Sequence, residues 1–463
     1  MSAPPLWTIA EVARALGLSG EFPETGIDFV TQDSRLVKPG SLFVALSGTP
    51  SGGFISSFAS SRDGWEFAAN AQAAGAVAMI VPHRVEGVSV PQLVVKDTLL
   101  DGLWALARAA RARFKGPVIG LTGSAGKTST KEFIAAYPEA YASPSSFNNF
   151  WGVPLTLCNA SPRATAWVVE MGMNQAGEIA RLSDLTRPTV ALVVNVQPVH
   201  LEKLGSLEAI RQEKVSIIRG LPKGGVLVLP AGTEAPEWNG TVIRFGDVSE
   251  VRELKHGARG EGWLVSADVC GKPIEFSLTP GAPHRLHNAL AALAAVHAAG
   301  LDEKTLAREL GHVGIMSGRG VEQAAGGATL IDDSFNGNPA SMVAALDSLL
   351  ARPMQQGRRI AILGDMLELG AEAPAYHEGL AKHLSGIDGV YCVGPLMRHL
   401  YDQLPAGKGL GWHENPATLE PQDIAALLRG GDVVVVKGSK KMFWVNKFVP
   451  RLVAALQARA QTG

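Results

Sequence analysis

Residues 120–132 read GLTGSAGKTSTKE and follow directly on the apolar stretch Pro117-Val118-Ile119. The order is that of a phosphate cradle: a buried strand, a glycine-rich turn, then a helix that starts with a lysine and a hydroxyl residue. Backbone N–H groups of such a turn point at phosphate oxygens, and the helix N-terminus adds partial positive charge. Gly123, Ser124, Ala125, Gly126, Lys127, Thr128 and Ser129 form the loop. Lys127 can reach the β- and γ-phosphates, and the Thr128 hydroxyl can ligate Mg²⁺. The general pattern has Gly four residues before the Gly-Lys pair, where this chain has Leu121, so the loop is a shorter form. The alternative is a chance Gly-Lys-Thr at a helix start. The chemistry the loop suggests is hydrolysis of, or transfer from, a nucleoside triphosphate.

Other candidates fall at the ends of apolar runs. Glu170 closes TAWVVE and His200 follows VALVVNVQPV. A carboxylate ending a core strand is badly placed for packing and well placed to bind the metal on a neighbouring triphosphate. The competing readings are an exposed strand-end glutamate and a structural histidine. Lys214 lies on a helix expected over 206–219, where helical periodicity alone favours a solvated lysine. A buried, neutral amine there can instead take up CO₂ as a carbamate, an anionic ligand. Asn288 opens an Ala/Leu-rich helix and suits a nucleotide edge or an ordinary helix start. Arg319 at a Gly-Arg hinge can close over a phosphate, or is a linker arginine. The run Asp332-Asp333-Ser334-Phe335-Asn336-Gly337-Asn338-Pro339 is a polar strand-to-helix turn that serves as a helix cap or as a ribose or peptide contact.

The elements that position these residues fall into three blocks, 1–105, 106–320 and 321–463. A chain of 463 residues allows two to four domains at ~100–200 residues each. In the first block, strands are expected at 41–46, 77–81 and 92–95, with a helix over 9–16 and a Gly/Ser-rich surface loop over 47–62. In the second, the runs 118–121, 166–169, 190–196 and 226–229 alternate with helices. Continuous apolar strands between helices predict an α/β fold with a parallel sheet covered on both faces, which gathers ligands beyond the carboxyl ends of its strands. The third block repeats the pattern at 328–331, 360–363, 390–393 and 433–436, with Gly364–Gly370 and Val436-Lys437-Gly438-Ser439 at strand ends. A net charge of −1 argues against a nucleic-acid-binding surface. No apolar run nears the ~20 residues of a membrane span, and the start lacks a secretory signal. The three cysteines lack metal spacing. A cytoplasmic protein with free thiols is expected.

Together these residues resemble the Mur ligase family of ATP-dependent amide ligases, in order and over nearly the whole chain. The likeness rests on Asp33-Ser34-Arg35, PGSLFVAL and Asp63-Gly64 with Phe67 in the first block. In the second it rests on TGSAGKTS, Phe147-Asn148-Asn149 with Gly152-Val153-Pro154, Glu170-Met171-Gly172 with Gly177-Glu178-Ile179, and His200-Leu201-Glu202. In the third it rests on DDSFNGNPASM, GDMLELG followed by His377, and VKGS. The Asn-Pro turn and GDMLELG resemble the branch that joins D-alanyl-D-alanine to UDP-MurNAc-tripeptide during cytoplasmic peptidoglycan precursor synthesis.

The resemblance implies a three-domain architecture: a UDP-sugar domain, a central P-loop ATPase-type domain, and a C-terminal Rossmann-like domain that binds the dipeptide and closes over ATP. It implies ATP and Mg²⁺, with the metal held by Thr128, Glu170, His200 and a carbamylated Lys214. Lys127, Glu170, His200 and Lys214 would be catalytic, and Asn288, Arg319 and Asp332 would contact nucleotide. Ser34, Arg35, Asn148, Asn149, Asn336 and Asn338 would bind substrate, and the protein would act as a monomer. The chain departs from the family at Trp65, Ser216, Phe335 and Gly337. A family ligase with another acceptor, and a non-catalytic ATP-binding scaffold, are the competing functions.

Overall fold

Each apolar run becomes a strand, because a parallel strand between two helical layers is buried on both sides and has no polar face to present. The structure is a computed structural model describing residues 4–54, 60–259, 262–279, 284–352, 354 and 356–462. Residues 55–59 of the loop expected over 47–62 lie outside the described residues.

The first sheet has four parallel strands in the order Phe29–Thr31, Ser41–Val44, Ala76–Val81, Gln92–Val94. The helix Ile9–Ala15 starts at Thr8, whose hydroxyl accepts from the Glu11 N–H while the Glu11 carboxylate accepts from the Thr8 N–H. That reciprocal cap satisfies two otherwise orphaned donors. A helical segment then runs through Thr98–Trp104 and Ala105–Arg113. Phe114 ends it, stacked on Trp167 of the central sheet at 4.2 Å between ring centroids.

The first and central blocks share one apolar core that extends from Trp7 to Leu229. Polar contacts tie them as well. Trp7 donates to the Cys158 carbonyl at 2.9 Å, Trp104 to the Phe150 carbonyl at 2.7 Å, and the Asn159 amide bonds both backbone groups of Val30. Gln175 and Arg181 donate to the carbonyls of Gly53 and Gly52, and Arg181 covers the Phe54 ring at 3.7 Å.

The central sheet has nine strands. Its order is Lys272–Leu278, Gly262–Val269, Val251–Arg259, Thr241–Phe245, Val226–Pro230, Val190–Val193, Val118–Thr122, Trp167–Glu170, Tyr141–Ala142. From Val251–Arg259 to Tyr141–Ala142 every neighbouring pair is parallel. The last three strands in sequence form antiparallel hairpins that the apolar-run reading missed. Lys272–Leu278 alternates exposed and buried positions, so it shows no continuous apolar run.

The chain leaves Val118–Thr122 toward one side of the sheet and returns to the other, placing the topological switch point at this strand. Register sets Glu170 opposite Leu121 and Val193 opposite Thr122. The loops after all three strands therefore meet at one edge. One face of the sheet is covered by the helix His284–Ala298, whose alanines are almost all fully buried. Small side chains let it lie close to both the sheet and the phosphate-loop helix Lys127–Ala135.

The third sheet runs Val321–Ala325, Ala328–Asp333, Val433–Lys437, Arg359–Gly364, Gly389–Val393, Gly409–His413 and is parallel except for its first hairpin. The two edge strands were not evident from the sequence. Between the second and third sheets Gly318 has φ +74°, and a Cβ there would stand 2.5 Å from the Trp444 ring. Only glycine fits this joint without displacing an aromatic side chain. Among the described residues no helix is long and apolar enough to cross a membrane.

Candidate functional site

The turn after Val118–Thr122 is held in shape by the segment after Val190–Val193. Ser124 N–H donates to the Asn195 carbonyl at 3.1 Å, Ala125 N–H to Asn195 Oδ1 at 2.9 Å, and Gln197 N–H to Ser124 Oγ at 2.9 Å. Asn195 and Gln197 were not singled out from the sequence, since an amide after an apolar strand looks like any loop residue. Gly126 has φ +74° and caps the helix Lys127–Ala135, and a Cβ there would meet Asn288 Oδ1 at 2.7 Å. The Lys127 ammonium folds back to donate to the Gly123 carbonyl at 2.7 Å. Desolvation holds Lys127 below the usual lysine range, with Glu170 pulling the other way and Arg319 adding to the depression.

Glu170 is fully buried. One carboxylate oxygen accepts from the Asn148 amide at 2.7 Å, and the other has no partner. Desolvation, with the nearby charge of Lys127, pushes Lys214 well below its ordinary range, while Glu213 opposes. Its side chain is 1% exposed, so the solvated-lysine reading does not hold. Lys214 sits in the helix Leu207–Val215, which begins at the cap Ser206 and gives way to a 3₁₀ turn at Ser216–Gly220. Glu213 beside it accepts from the N–H groups of Gly177 and Ile179 at 2.7 and 2.9 Å, anchoring the loop that follows Glu170. Asn288 is also buried, with its amide nitrogen unpartnered.

Buried polar atoms are normally paired. The free Glu170 oxygen and the free Asn288 amide both adjoin the phosphate loop. They fit a cation and a nucleotide as the missing partners. Among the described residues no three His, Cys, Asp or Glu side chains converge as a self-sufficient metal cage. That suits Mg²⁺, which commonly takes one or two protein carboxylates and completes its shell with phosphates and water.

The interdomain joint and the third domain each reach this edge at one place. Arg319 donates to the Thr128 hydroxyl at 3.1 Å, and its guanidinium lies 4.2 Å from the Phe335 ring centroid. At the second place His200 Nδ1 bonds the Glu368 carboxylate. Lys437, almost fully buried, bonds Asp333 at 2.8 Å and the Asn336 carbonyl at 3.0 Å. The Asp332 carboxylate instead accepts from Ser334 within its own turn.

Lys127, Thr128, Glu170, Lys214, Asn148, Asn288 and Arg319 therefore gather at the switch point. Several other candidates have local structural partners. Asn149 caps the helix Gly152–Asn159 through its side-chain oxygen, and Asn338 forms a capping box with Ser341 at the start of Pro339–Leu350. Arg35 is exposed and paired with Asp33, with Ser34 beginning the same 3₁₀ turn in the first domain. His377 is a satisfied core residue, accepting from Met366 N–H and donating to the Ala373 carbonyl.

Residues 121–296 match the Mur ligase middle domain, and residues 320–440 the Mur ligase glutamate ligase domain. The first match ends at residue 296 and the second begins at residue 320, just after the Gly318-Arg319 joint. The chain belongs to the Mur ligase family. This Mur ligase is 34% identical over 454 residues to the UDP-N-acetylmuramoyl-tripeptide–D-alanyl-D-alanine ligase of Escherichia coli K12, covering 94% of this chain and 95% of the relative. Its fold is similar to MurF from Acinetobacter baumannii, with a TM-score of 0.81 and 26% identity over 97% of this chain and 99% of the other. It is also similar to MurF ligase from Thermotoga maritima in complex with ADP, with a TM-score of 0.77 and 25% identity over 93% and 98% of the two chains.

Replacing Gly126 by alanine puts a side chain where the Mur ligase has a left-handed backbone and the Asn288 amide. Strain of about 1–3 kcal/mol is expected to open the loop. Calorimetric titration with ADP should show affinity lowered about tenfold or more in a folded variant. Wild-type affinity would contradict the assigned role of the turn.

Proposed function

We propose that this Mur ligase joins D-alanyl-D-alanine to the terminal carboxylate of UDP-MurNAc-tripeptide, driven by ATP, in cytoplasmic peptidoglycan precursor synthesis. The observation that carries the reading is the buried, half-satisfied Glu170 carboxylate facing a phosphate cradle that Arg319 reaches from the interdomain joint. Full-length similarity to ligases of that name supports the choice of substrates. The residues gathered at the site all come from one chain, in keeping with a monomer.

Direct condensation of a carboxylate with an amine is slow because the carboxylate is a poor electrophile. Phosphorylation removes that obstacle. A carboxylate oxygen of the tripeptide attacks the γ-phosphorus of ATP, the bond to the β–γ bridging oxygen breaks, and ADP leaves. The dipeptide's amine then attacks the acyl carbon of the acyl phosphate. The C–O bond to phosphorus breaks, inorganic phosphate departs, and the amine gives up its proton as the amide forms.

The chain's contribution is mainly charge neutralisation and alignment, since phosphoryl transfer asks for little covalent help. The turn amides and Lys127 hold the β- and γ-phosphates. Asn288, Arg319 and Asp332 would contact the nucleotide. Thr128, Glu170, His200 and a carbamylated Lys214 would hold Mg²⁺, which supplies further neutralisation of phosphate charge when bound. Lys214 suits the modification because only a neutral amine adds CO₂, and burial favours that form. The acyl phosphate must be kept from water, and docking of the third domain against Thr128 and His200 supports a closure that does so.

Phosphate release from ATP should require Mg²⁺, UDP-MurNAc-tripeptide and D-alanyl-D-alanine together, with a UDP-MurNAc-pentapeptide mass as product. No release from folded protein that still binds ATP would move the reading to another acceptor. Lys214→Ala should lower turnover strongly, about 10²-fold or more as for loss of a preorganised electrostatic group. Short carboxylic acids, which can enter the space left, should restore part of it. Full activity of the variant would contradict the carbamate.

A further inference from the structure

The contact between His200 and Glu368 joins two domains through residues 168 apart in sequence. Both residues have left-handed backbones, with φ of +55° and +65°, which non-glycine residues rarely adopt unless the surroundings impose it. His200 caps the short helix Leu201–Leu204, and that corner is where the third domain sits. Glu202 N–H donates to the Glu368 carbonyl at 3.3 Å. Leu201 packs against the third-domain core that contains Met366 and Leu369. Gly370 has φ +62°, and a Cβ there would lie 3.2 Å from Glu202 Cα, so the close approach depends on its having no side chain.

The loop that presents Glu368 is braced from behind on both flanks. The Asp365 carboxylate accepts from the N–H groups of Leu396 and Met397 at 3.2 and 2.8 Å. His377 Nε2 accepts from Met366 N–H at 2.9 Å, and Ser439 Oγ from Leu367 N–H at 2.8 Å. Glu368 is thus held by the third domain and aimed at a ring on the central domain.

We infer that Glu368 is a positioning residue for His200: its carboxylate takes the Nδ1–H, fixing the ring and leaving Nε2 as the free nitrogen, so that His200 is set to meet a metal only when the third domain is docked. The inference rests on the proposed ligase reading for the metal, while the contact itself does not. A carboxylate behind a histidine is the arrangement that fixes the tautomer of a ligating imidazole and raises its basicity. Here the carboxylate comes from a different domain, which would couple domain docking to assembly of the metal site.

The test uses the full chain with Glu368→Ala and Glu368→Gln. Ring ¹⁵N spectra of histidine-labelled protein, with the His200 signals identified by their loss in His200→Asn, report the tautomer without turnover. The magnesium concentration giving half-maximal phosphate release, at saturating ATP and both substrates, reports metal use. In the parent the His200 ring should show a fixed, hydrogen-bonded Nδ1–H. Glu368→Ala should show averaged tautomers and a half-saturating magnesium concentration raised about 10–100-fold. Glu368→Gln, whose amide oxygen still accepts from Nδ1–H, should recover most of both.

Unchanged ring signals in Glu368→Ala would overturn the inference. So would unchanged magnesium dependence accompanied by a loss only of stability or maximal rate. Should Glu368→Ala fail to fold, Glu368→Gln decides: a ring that loses its Nδ1–H form despite the retained acceptor contradicts the positioning role. If the parent releases no phosphate with both substrates, the ligase reading fails while the ring spectra still decide the His200–Glu368 relation.

Discussion

A carboxylate without solvent at the end of a central strand is the constraint on which the site depends. Removing Glu170 from water is costly unless its charge is met, and the Asn148 amide meets only one of its oxygens. The remaining field comes from Lys127 and Arg319, which the fold brings in from the phosphate loop and from the far side of the interdomain joint. Lys214 adds to the tension: a second amine buried near Lys127 is driven toward its neutral form. An arrangement with an unmet carboxylate oxygen, an unmet amide and a desolvated lysine is poised for ligands that bring both negative phosphate and a cation.

The domains share this constraint unequally. The first is fused to the second through a common apolar core and the Phe114–Trp167 stack. The third meets the second through polar contacts of Arg319 and His200 and apolar packing of Leu201, beyond a glycine joint packed on Trp444. Contacts between domains of one chain commonly permit relative motion. The chemistry needs that motion, because substrates must enter and an acyl phosphate must then be shielded.

Much of this was legible in the sequence, and the limits have physical causes. Parallel strands buried on both faces announce themselves as apolar runs, whereas half-exposed hairpin strands such as Lys272–Leu278, and the short or part-exposed parallel strands Phe29–Thr31, Tyr141–Ala142, Thr241–Phe245 and Gly409–His413, were not read. The phosphate loop was readable because its chemistry is local. Asparagines were not separable into caps and ligands. Asn149 and Asn338 cap helices whereas Asn148 and Asn288 face the site, yet all four are short amides next to a helix or turn. Burial removed the solvated reading of Lys214, which helical periodicity alone had favoured. Contacts such as Arg319 to Thr128, 191 residues apart, carry no local signal at all.

The central claim is that a buried, preorganised phosphate site activates a substrate carboxylate by phosphorylation. The most direct measurement supplies UDP-MurNAc-tripeptide labelled with ¹⁸O in its terminal carboxylate, together with ATP, Mg²⁺ and D-alanyl-D-alanine. The released phosphate is then analysed by mass. The account predicts one labelled oxygen in each phosphate, carried over when the acyl C–O bond breaks. Phosphate free of label, released alongside the amide product, would contradict it.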